Sequence, residues 1–143
     1  MEKIKIFVFD TLCLGFPDSI TYLKDQTFCF PAFTGKGYAL FYTGNVYMMK
    51  NEYFHQGAWG EIWEVSPSVF DRINKKMDNA RFTRAEITVY ENEQMENPSQ
   101  VHTWLMAKSL IEAKGVKSFP IRCLRDMSPA LSGKPYQQKK DCC

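Results

Sequence analysis

The stretch GAWGEIWEV at residues 57–65, followed at once by Ser66 and Pro67, is the part of the chain that decides the fold. Apolar and polar residues alternate through most of it, which is typical of a strand with one face in a core. Ser66 is a good helix-capping residue, and Pro67 suits the first helical position, where its missing N–H costs nothing. The pattern therefore predicts a central strand that passes directly into a helix.

The predicted helix is short and amphipathic. Phe70, Ile73 and Met77 fall at the i, i+3 and i+7 positions of a single apolar stripe. Charged and amide side chains occupy the other faces of the helix. We therefore expect one face of this helix to pack on the strands around it.

Strands also dominate the chain before this helix. Residues 4–9 alternate with a period of two, and residues 28–33 and 38–49 are rich in aromatic and β-branched side chains. Gly15 and Pro17 indicate that the chain turns directly after the first strand. Many strands with one evident helix predict an α+β fold, in the form of a small mixed β-barrel with one short amphipathic helix.

A hairpin and an irregular extension follow the helix. Residues 82–90 and 101–106 are predicted to be two paired strands joined by a long polar loop. One or two helical turns are predicted over residues 107–114, where a glycine ends them. We predict a single barrel domain over residues 1–115 and an irregular extension over residues 116–143, whose tail is disordered.

The composition excludes several classes of function. Lys and Arg number 18 against 16 Asp and Glu, which leaves no broad basic surface for duplex nucleic acid. No run approaches the roughly 18 to 20 apolar residues of a membrane span, and the start of the chain does not resemble a signal peptide. We therefore expect a cytoplasmic protein. The five cysteines show neither CxxC pairs nor zinc-finger spacing, so we expect no metal, no disulfide and no cofactor.

Three motifs follow one another along the chain: VFDTLCLG at residues 8–15, GEIWEV at 60–65, and INKKM at 73–77 with FTR at 82–84. In this order they resemble the gamma-glutamylcyclotransferase and gamma-glutamylamine cyclotransferase superfamily. The corresponding motifs of that superfamily read roughly V-Y-G-T-L-x-x-G, G-E-V/L-Y-x-V, and L-D-x-x-E with Y-x-R. The resemblance covers residues 4–106. It implies a compact barrel with one pocket, between the loop after the first strand and the end of the helix.

The resemblance also implies where the chemistry of such an enzyme takes place. Backbone N–H groups of the loop hold the glutamyl end of the substrate, an arrangement that binds anions. A glutamate at the end of the helix is the general acid/base that lets the α-amine attack the γ-carbonyl and release 5-oxoproline. In this chain the N–H groups of Thr11, Leu12 and Cys13 are the implied donors. The implied ligand-binding residues are Phe9, Asp10, Thr11, Leu12, Cys13, Gly15, Trp59 and Met77.

Two positions depart from the family pattern. Met77 stands where the superfamily has its glutamate, and a thioether cannot move a proton. Asp78 is the adjacent carboxylate and the remaining catalytic candidate, although one residue of helix rotation, about 100°, points it elsewhere. Asp10 replaces the loop glycine and brings a negative charge to the place where a substrate carboxylate would approach. Asp10 either contacts a ligand or caps the turn through a nearby backbone N–H.

Two further polar residues stand near these motifs. Arg84 stands at the arginine of the family's Y-x-R motif, and the resemblance implies that it ties the end of the helix to the next strand by an ion pair, with ligand contact as the alternative. His102 lies in a predicted strand without an acidic partner near it in sequence, so we expect it to be exposed.

These departures predict a catalytically degenerate relative. It would bind, and in the sharper form of the hypothesis sequester, a small anionic or nucleotide-like ligand in the ancestral pocket. One alternative is an active cyclotransferase that uses a displaced carboxylate from Asp78, Asp10 or Glu61. The other is a protein-interaction module that uses the basic tail and exposed aromatic side chains.

Overall fold

A computed structural model describes residues 2–42 and 46–107 of the chain. In these residues seven strands and two helices follow one another, and the strands form a five-stranded mixed sheet and a separate two-stranded hairpin. The elements are β1 (Ile4–Val8), α1 (Pro17–Tyr22), β2 (Thr27–Phe33), β3 (Tyr38–Tyr42), β4 (Val46–Lys50), β5 (Trp59–Val65), α2 (Pro67–Asn79), β6 (Thr83–Val89) and β7 (Ser99–Leu105). The α+β class predicted from the sequence is confirmed.

The large sheet has the strand order β2-β5-β1-β7-β6, so β1 lies in its middle. β1 runs antiparallel to β5, with Val8 opposite Glu61, and parallel to β7, with Ile6 opposite His102. The last three residues of β1 are buried. This register places the loop that follows Val8 beside Glu61 of β5, which positions the candidate site.

Gly60 allows β1 and β5 to approach closely at this point. A Cβ atom there would lie 2.3 Å from the Val8 carbonyl oxygen and 2.6 Å from Cζ of the Phe7 ring. Both distances are shorter than van der Waals contact allows, so any larger residue would push the backbone of β1 away from β5. The close packing of β1 against β5 therefore explains why a glycine precedes Glu61.

The sheet curls without closing. Its two edge strands, β2 and β6, come together where Phe33 and Tyr90 exchange two backbone hydrogen bonds of 2.7 Å. Within the described residues no ladder continues from this bridge, so the prediction of a barrel is wrong and the sheet is open. Phe33 is the last residue of β2 and Tyr90 follows the last residue of β6, so the two edge strands meet only where they end.

Helix α2 begins and packs as predicted. The Ser66 side chain accepts a hydrogen bond from a backbone N–H of the first turn, and Pro67 is the first helical residue. Phe70, Ile73 and Met77 are buried. The apolar stripe of α2 therefore faces the core, and its last turn lies near the β1 loop.

Helix α1 was not predicted, because the sequence indicated only a turn there. Pro17 at the first helical position and Asp18 in the first turn begin it, which are signals of the kind that marked α2. Its six residues are too few for apolar periodicity to register. The helical turns predicted over residues 107–114, apart from their first residue, and the extension over residues 116–143 lie outside the described residues. The domain boundary therefore stays a prediction.

The described residues contain neither a membrane-spanning helix nor a metal-binding cluster. No helix in residues 2–42 and 46–107 is long and apolar enough to cross a membrane. The same ranges contain no group of three or more His, Cys, Asp or Glu side chains placed to hold a metal ion. Cys13 is buried and Cys29 half-buried, and within the described residues neither forms a disulfide.

Candidate functional site at the β1 loop

The loop after β1 is built from successive backbone turns. The Asp10 carbonyl accepts the Cys13 N–H at 2.9 Å, and the Cys13 carbonyl accepts the Phe16 N–H at 3.1 Å. The Ser19 N–H of α1 then donates to the Thr11 carbonyl at 3.1 Å. The loop is therefore a compact structure that closes onto the beginning of α1.

The Asp10 side chain accepts one of the N–H groups of its own loop. Its Oδ1 lies 3.0 Å from the Leu12 nitrogen, and the residue is only 8% exposed. This is the turn-capping geometry, one of the two alternatives that the sequence left open. The N–H groups of Leu12 and Cys13, which were predicted to receive ligand oxygens, thus both donate to Asp10. The Leu12 N–H donates to the Asp10 carboxylate, and the Cys13 N–H donates to the Asp10 carbonyl.

Glu61 of β5 holds the next residue of the loop. Its Oε1 accepts the Leu14 N–H at 2.8 Å and the indole N–H of Trp63 at 3.1 Å. Glu61 is 1% exposed, and its bond to Trp63 is buried while its bond to Leu14 is partly buried. The N–H groups of three consecutive residues, 12 to 14, therefore have acceptors inside the protein. The sequence indicated Glu61 only as a displaced carboxylate, because residue spacing does not show the β1-β5 register that places it beside the loop.

A small polar cluster links the loop to both helices. The Thr11 hydroxyl donates to the Asp18 carboxylate of α1, and the Lys76 Nζ of α2 lies 3.8 Å from the same carboxylate. The two side chains of this ion pair are 26% and 36% exposed, so the pair contributes only about 0 to 1 kcal/mol. Its effect is geometric, since it joins the last turn of α2 to α1 beside Asp10.

Burial raises the pKa of the Asp10 carboxyl above its ordinary value. Desolvation is the largest cause, and the nearby Asp18 carboxylate acts in the same direction. The hydrogen bond from Leu12 and the ammonium of Lys76 lower the pKa without cancelling the rise. A carboxyl with a raised folded-state pKa favours folding below the ordinary aspartate pKa, and this contribution is lost as the pH rises through the folded-state pKa.

Asp10→Asn is expected to remove this part of the pH dependence of stability. The amide oxygen can still accept the Leu12 N–H, and the amide carries no charge that burial would penalise. The variant should therefore gain free energy of unfolding relative to the wild type as the pH rises above about 4. Urea denaturation at a series of pH values measures the difference.

Asp71→Asn is the control for this series, because Asp71 is exposed on α2. Its curve should follow the wild type at every pH. A loss of stability in Asp10→Asn at neutral pH would contradict the prediction, because it would mean that an ionised Asp10 is held by Lys76.

The side chain of Met77 lies in the core. It is 1% exposed, and its carbonyl accepts the Phe82 N–H at 2.9 Å. The Phe82 ring lies 6.2 Å from the Phe9 ring and stacks on Tyr47 at 5.6 Å. Aromatic side chains therefore occupy the space beside the end of α2. The predicted ligand-binding residues whose side chains are at most 1% exposed are Phe9, Leu12, Cys13 and Met77.

Gly15 and Trp59 complete the predicted set. Gly15 has a φ of 92°, a left-handed conformation that favours glycine, so its role is to form the loop. Trp59 packs against Phe33 with ring centroids 5.3 Å apart, and it alternates with Glu61 along β5, which puts both side chains on one face. The indole N–H of Trp59 is buried and has no acceptor in the described part of the chain.

Asp78 lies apart from the loop. Its side chain lines an open cleft together with Asn74, Lys75 and Arg84, and no residue of the loop lines that cleft. The i, i+4 spacing places Asn74 and Asp78 on one face of α2, while Met77 faces the core. The structure therefore brings together Asp10, Thr11, Asp18, Glu61 and Lys76, and it separates Asp78 from them.

Two side chains make contacts that differ from those predicted from the sequence. The Arg84 guanidinium lies over the Phe70 ring, 5.6 Å from its centroid, and in residues 2–42 and 46–107 it forms no ion pair. His102 does have an acidic neighbour, because its Nε2 lies 3.6 Å from Oε1 of Glu86, directly opposite on β6. Its side chain is 28% exposed. Both contacts depend on the packing of β6 and β7, which residue spacing does not show.

The curled sheet, the β1 loop and the end of α2 together define the class of protein. The family model described as gamma-glutamyl cyclotransferase, AIG2-like matches residues 6–121. This match covers most of the chain and includes the loop, β5 and α2. The chain belongs to the gamma-glutamyl cyclotransferase, AIG2-like family, as the sequence motifs predicted.

Solved structures show the same fold at low sequence identity. An AIG2-like protein from Mus musculus aligns with a TM-score of 0.75 and 18% identity over 98% of this chain and 99% of its own. A uropathogenic E. coli-specific protein aligns at 0.71 and 18% over 90% and 97%. An uncharacterized protein from Pyrococcus horikoshii aligns at 0.65 and 21% over 87% and 92%. No curated protein sequence matches this chain significantly.

Proposed function

We propose that this chain is a catalytically degenerate member of the family, which binds a small molecule and does not release 5-oxoproline. The observation that carries the proposal is Met77, the residue that the motif register aligns with the family's glutamate, whose side chain is 1% exposed in the core. Cyclisation needs a group that moves a proton at this position, and a thioether has none. Asp78, the adjacent carboxylate, lines a different cleft.

The hydrogen bonds of the loop support the same proposal. The N–H groups of Leu12, Cys13 and Leu14 donate to Asp10 and Glu61. A substrate carboxylate would have to displace one of these acceptors before it could reach any of these three donors. It would also approach the Asp10 carboxyl, which is unfavourable whenever that group is ionised. A gamma-glutamyl substrate is therefore disfavoured at this loop.

The ligand class of the proposal is a small anionic or nucleotide-like molecule in the ancestral pocket. Within that pocket, the loop geometry requires one of two arrangements. The anionic group either takes the Leu12 N–H from Asp10 or binds away from it, where the buried indole N–H of Trp59 is an available donor within the described residues. The raised pKa of Asp10 eases the first arrangement, because a neutral carboxyl does not repel an anion.

The purified protein is expected to release no 5-oxoproline from gamma-glutamyl amino acids or gamma-glutamyl-lysine. Chromatographic detection of 5-oxoproline measures the reaction, and an active gamma-glutamyl cyclotransferase serves as the positive control. Turnover within about tenfold of that enzyme would contradict the proposal, because such a rate requires a working proton-transfer group.

A second candidate function, an active enzyme with a displaced carboxylate, rests on Asp10. Its carboxyl lies in the loop and has a raised pKa, which suits a general base. If turnover is found, Asp10→Asn should abolish it under this second candidate, whereas Asp78→Asn should leave it intact. The reverse result would assign the proton transfer to Asp78.

A further inference from the structure

An open cleft of about 530 Å³ lies between the second half of α2 and the beginning of β6. This volume falls in the range of small-molecule pockets, roughly 300 to 1,000 Å³. The cleft is separate from the β1 loop, because no loop residue lines it. Its lining residues are Asn74, Lys75 and Asp78 of α2, Phe82, Thr83 and Arg84 at the start of β6, and Trp104 of β7.

The amide of Asn74 is oriented by a buried indole. Trp104 is 1% exposed, and its Nε1–H donates to Oδ1 of Asn74 at 2.9 Å. The indole nitrogen is only a donor, so Asn74 must present its oxygen to it. Both N–H bonds of the Asn74 amide are thereby left for other acceptors, and within residues 2–42 and 46–107 none receives them.

Arg84 is also held in place, and its charge is not neutralised. Its guanidinium lies 5.6 Å from the centroid of the Phe70 ring, which in turn packs against Trp104 at 6.2 Å. Across the described part of the chain, no carboxylate lies within ion-pair distance of Arg84 or Lys75. A guanidinium that lies on an aromatic face keeps its N–H edge available for hydrogen bonds.

The cleft therefore offers many hydrogen-bond donors and few acceptors. Asn74, Lys75, Thr83 and Arg84 supply an amide, an ammonium, a hydroxyl and a guanidinium, and Asp78 is the one carboxylate among the lining residues. Planar and charged donors of this kind fit the oxygens of phosphate and carboxylate groups. We propose that this cleft is a second ligand site, which binds the phosphate or carboxylate group of a small molecule.

Hydrogen bonds at the end of α2 reduce the unfavourable partial charge that an anion in this cleft would meet. The carbonyls of Lys76, Met77 and Asp78 accept backbone N–H groups from Ala80, Phe82 and Arg81. The partial negative charge at the end of a helix arises from carbonyls that lack such partners. The Asp78 carboxylate is the full negative charge that an anion would meet here. A variant that removes this charge is therefore predicted to bind the anion more tightly.

The charge of residues 108–143 indicates that the ligand of this cleft is a separate molecule. Residues 108–143 contain eight Lys and Arg against three Asp and Glu, so the continuation of the chain has the same sign as Lys75 and Arg84. Beyond Thr83 the cleft adjoins a second hollow of about 230 Å³, where Lys50 adds a further cation. A ligand with two anionic groups suits this arrangement better than one with a single charge.

Titration calorimetry of the full chain with pyrophosphate, and separately with citrate, tests the proposal at constant ionic strength, with NaCl as the blank. We expect saturable binding of at least one probe. Binding of pyrophosphate alone assigns a phosphate ligand, binding of citrate alone assigns a carboxylate ligand, and binding of both supports the shared anion chemistry. Absence of binding by both probes overturns the proposal.

Three variants and a control locate the binding. Arg84→Gln should weaken it about tenfold, since a charge-assisted hydrogen bond is lost. Asn74→Asp keeps an oxygen for Trp104 but removes both donors, so it should weaken binding at least as much. Asp78→Asn should strengthen binding, a result that a misfolded variant cannot produce. Arg72→Gln, the control, removes a cation that lies over the Tyr22 ring elsewhere on α2 and should change nothing.

One set of results would show that the anion binds elsewhere on the protein. If the wild type binds a probe and Arg84→Gln, Asn74→Asp and Asp78→Asn all bind it with unchanged affinity, the anion site is not this cleft. The 5-oxoproline assay is run on the wild-type protein without pyrophosphate or citrate, so failure of the proposed function and failure of this proposal are told apart.

Discussion

Met77→Glu should lower the free energy of unfolding by about 3 kcal/mol or more at neutral pH. The residue is 1% exposed at the end of α2, and its carbonyl accepts the backbone N–H of the buried Phe82. A carboxylate there loses its hydration without gaining a charged partner, which is one of the few single substitutions with effects of this size. Urea denaturation of the variant and the wild type measures the difference.

Matched substitutions separate charge from shape in this experiment. Met77→Leu conserves volume and should lose less than about 1.5 kcal/mol, and Met77→Gln should fall between Leu and Glu. The defect of Met77→Glu should shrink in acid, because a neutral carboxyl is easier to bury. If Met77→Glu is instead as stable as Met77→Leu, the carboxylate reaches water or a ligand cavity. The proposed loss of catalytic competence would then depend on the missing carboxylate alone and not on the packing around it.

Glu61→Ala is expected to destabilise the protein by about 3 kcal/mol. The substitution removes the oxygen that now accepts both the partly buried Leu14 N–H and the buried indole N–H of Trp63. Each buried donor that loses its acceptor costs about 1 to 3 kcal/mol. Chemical denaturation gives the size of the loss, and the indole resonance of Trp63 reports whether its hydrogen bond is gone.

Glu64→Ala is the control on the same strand. Glu64 is half-exposed, and its odd spacing from Glu61 places it on the other face of β5. Its removal should change stability by less than about 1 kcal/mol. Should Glu61→Ala unfold at the same urea concentration as Glu64→Ala, the loop would be held by its own turns and not by β5.

Local signals predicted the elements of this fold better than their arrangement. Ser66 and Pro67 marked the start of α2, and alternation marked β5 and the β6-β7 hairpin, because these signals lie within a few residues of one another. The open sheet could not be predicted in the same way. It depends on β1 pairing with strands far along the chain, and on whether β2 and β6 meet over one residue pair or over a whole ladder.

The same distinction holds for the candidate site, whose loop was predicted from local motifs and whose contacts from distant elements were not. Motif register predicted the loop around Asp10 and Thr11, and the structure places both of them in the polar cluster beside α1 and α2. The contributions of Asp18, Lys76 and Glu61 were missed, since each reaches the loop from a different element. Whether a side chain such as Met77 faces a pocket or the core depends on the residues that pack around it, and sequence spacing does not show which residues these are.

The position of β1 in the sheet has a consequence for how the chain is made. β1 leaves the ribosome before the other described strands, but its two neighbours are Trp59–Val65 and Ser99–Leu105. One edge of β1 therefore stays unpaired until the last of these residues has been added, and unpaired edges of apolar strands are where chains associate wrongly. The period of greatest risk of aggregation is thus translation itself, before residue 105 emerges and the middle of the sheet is filled on both sides.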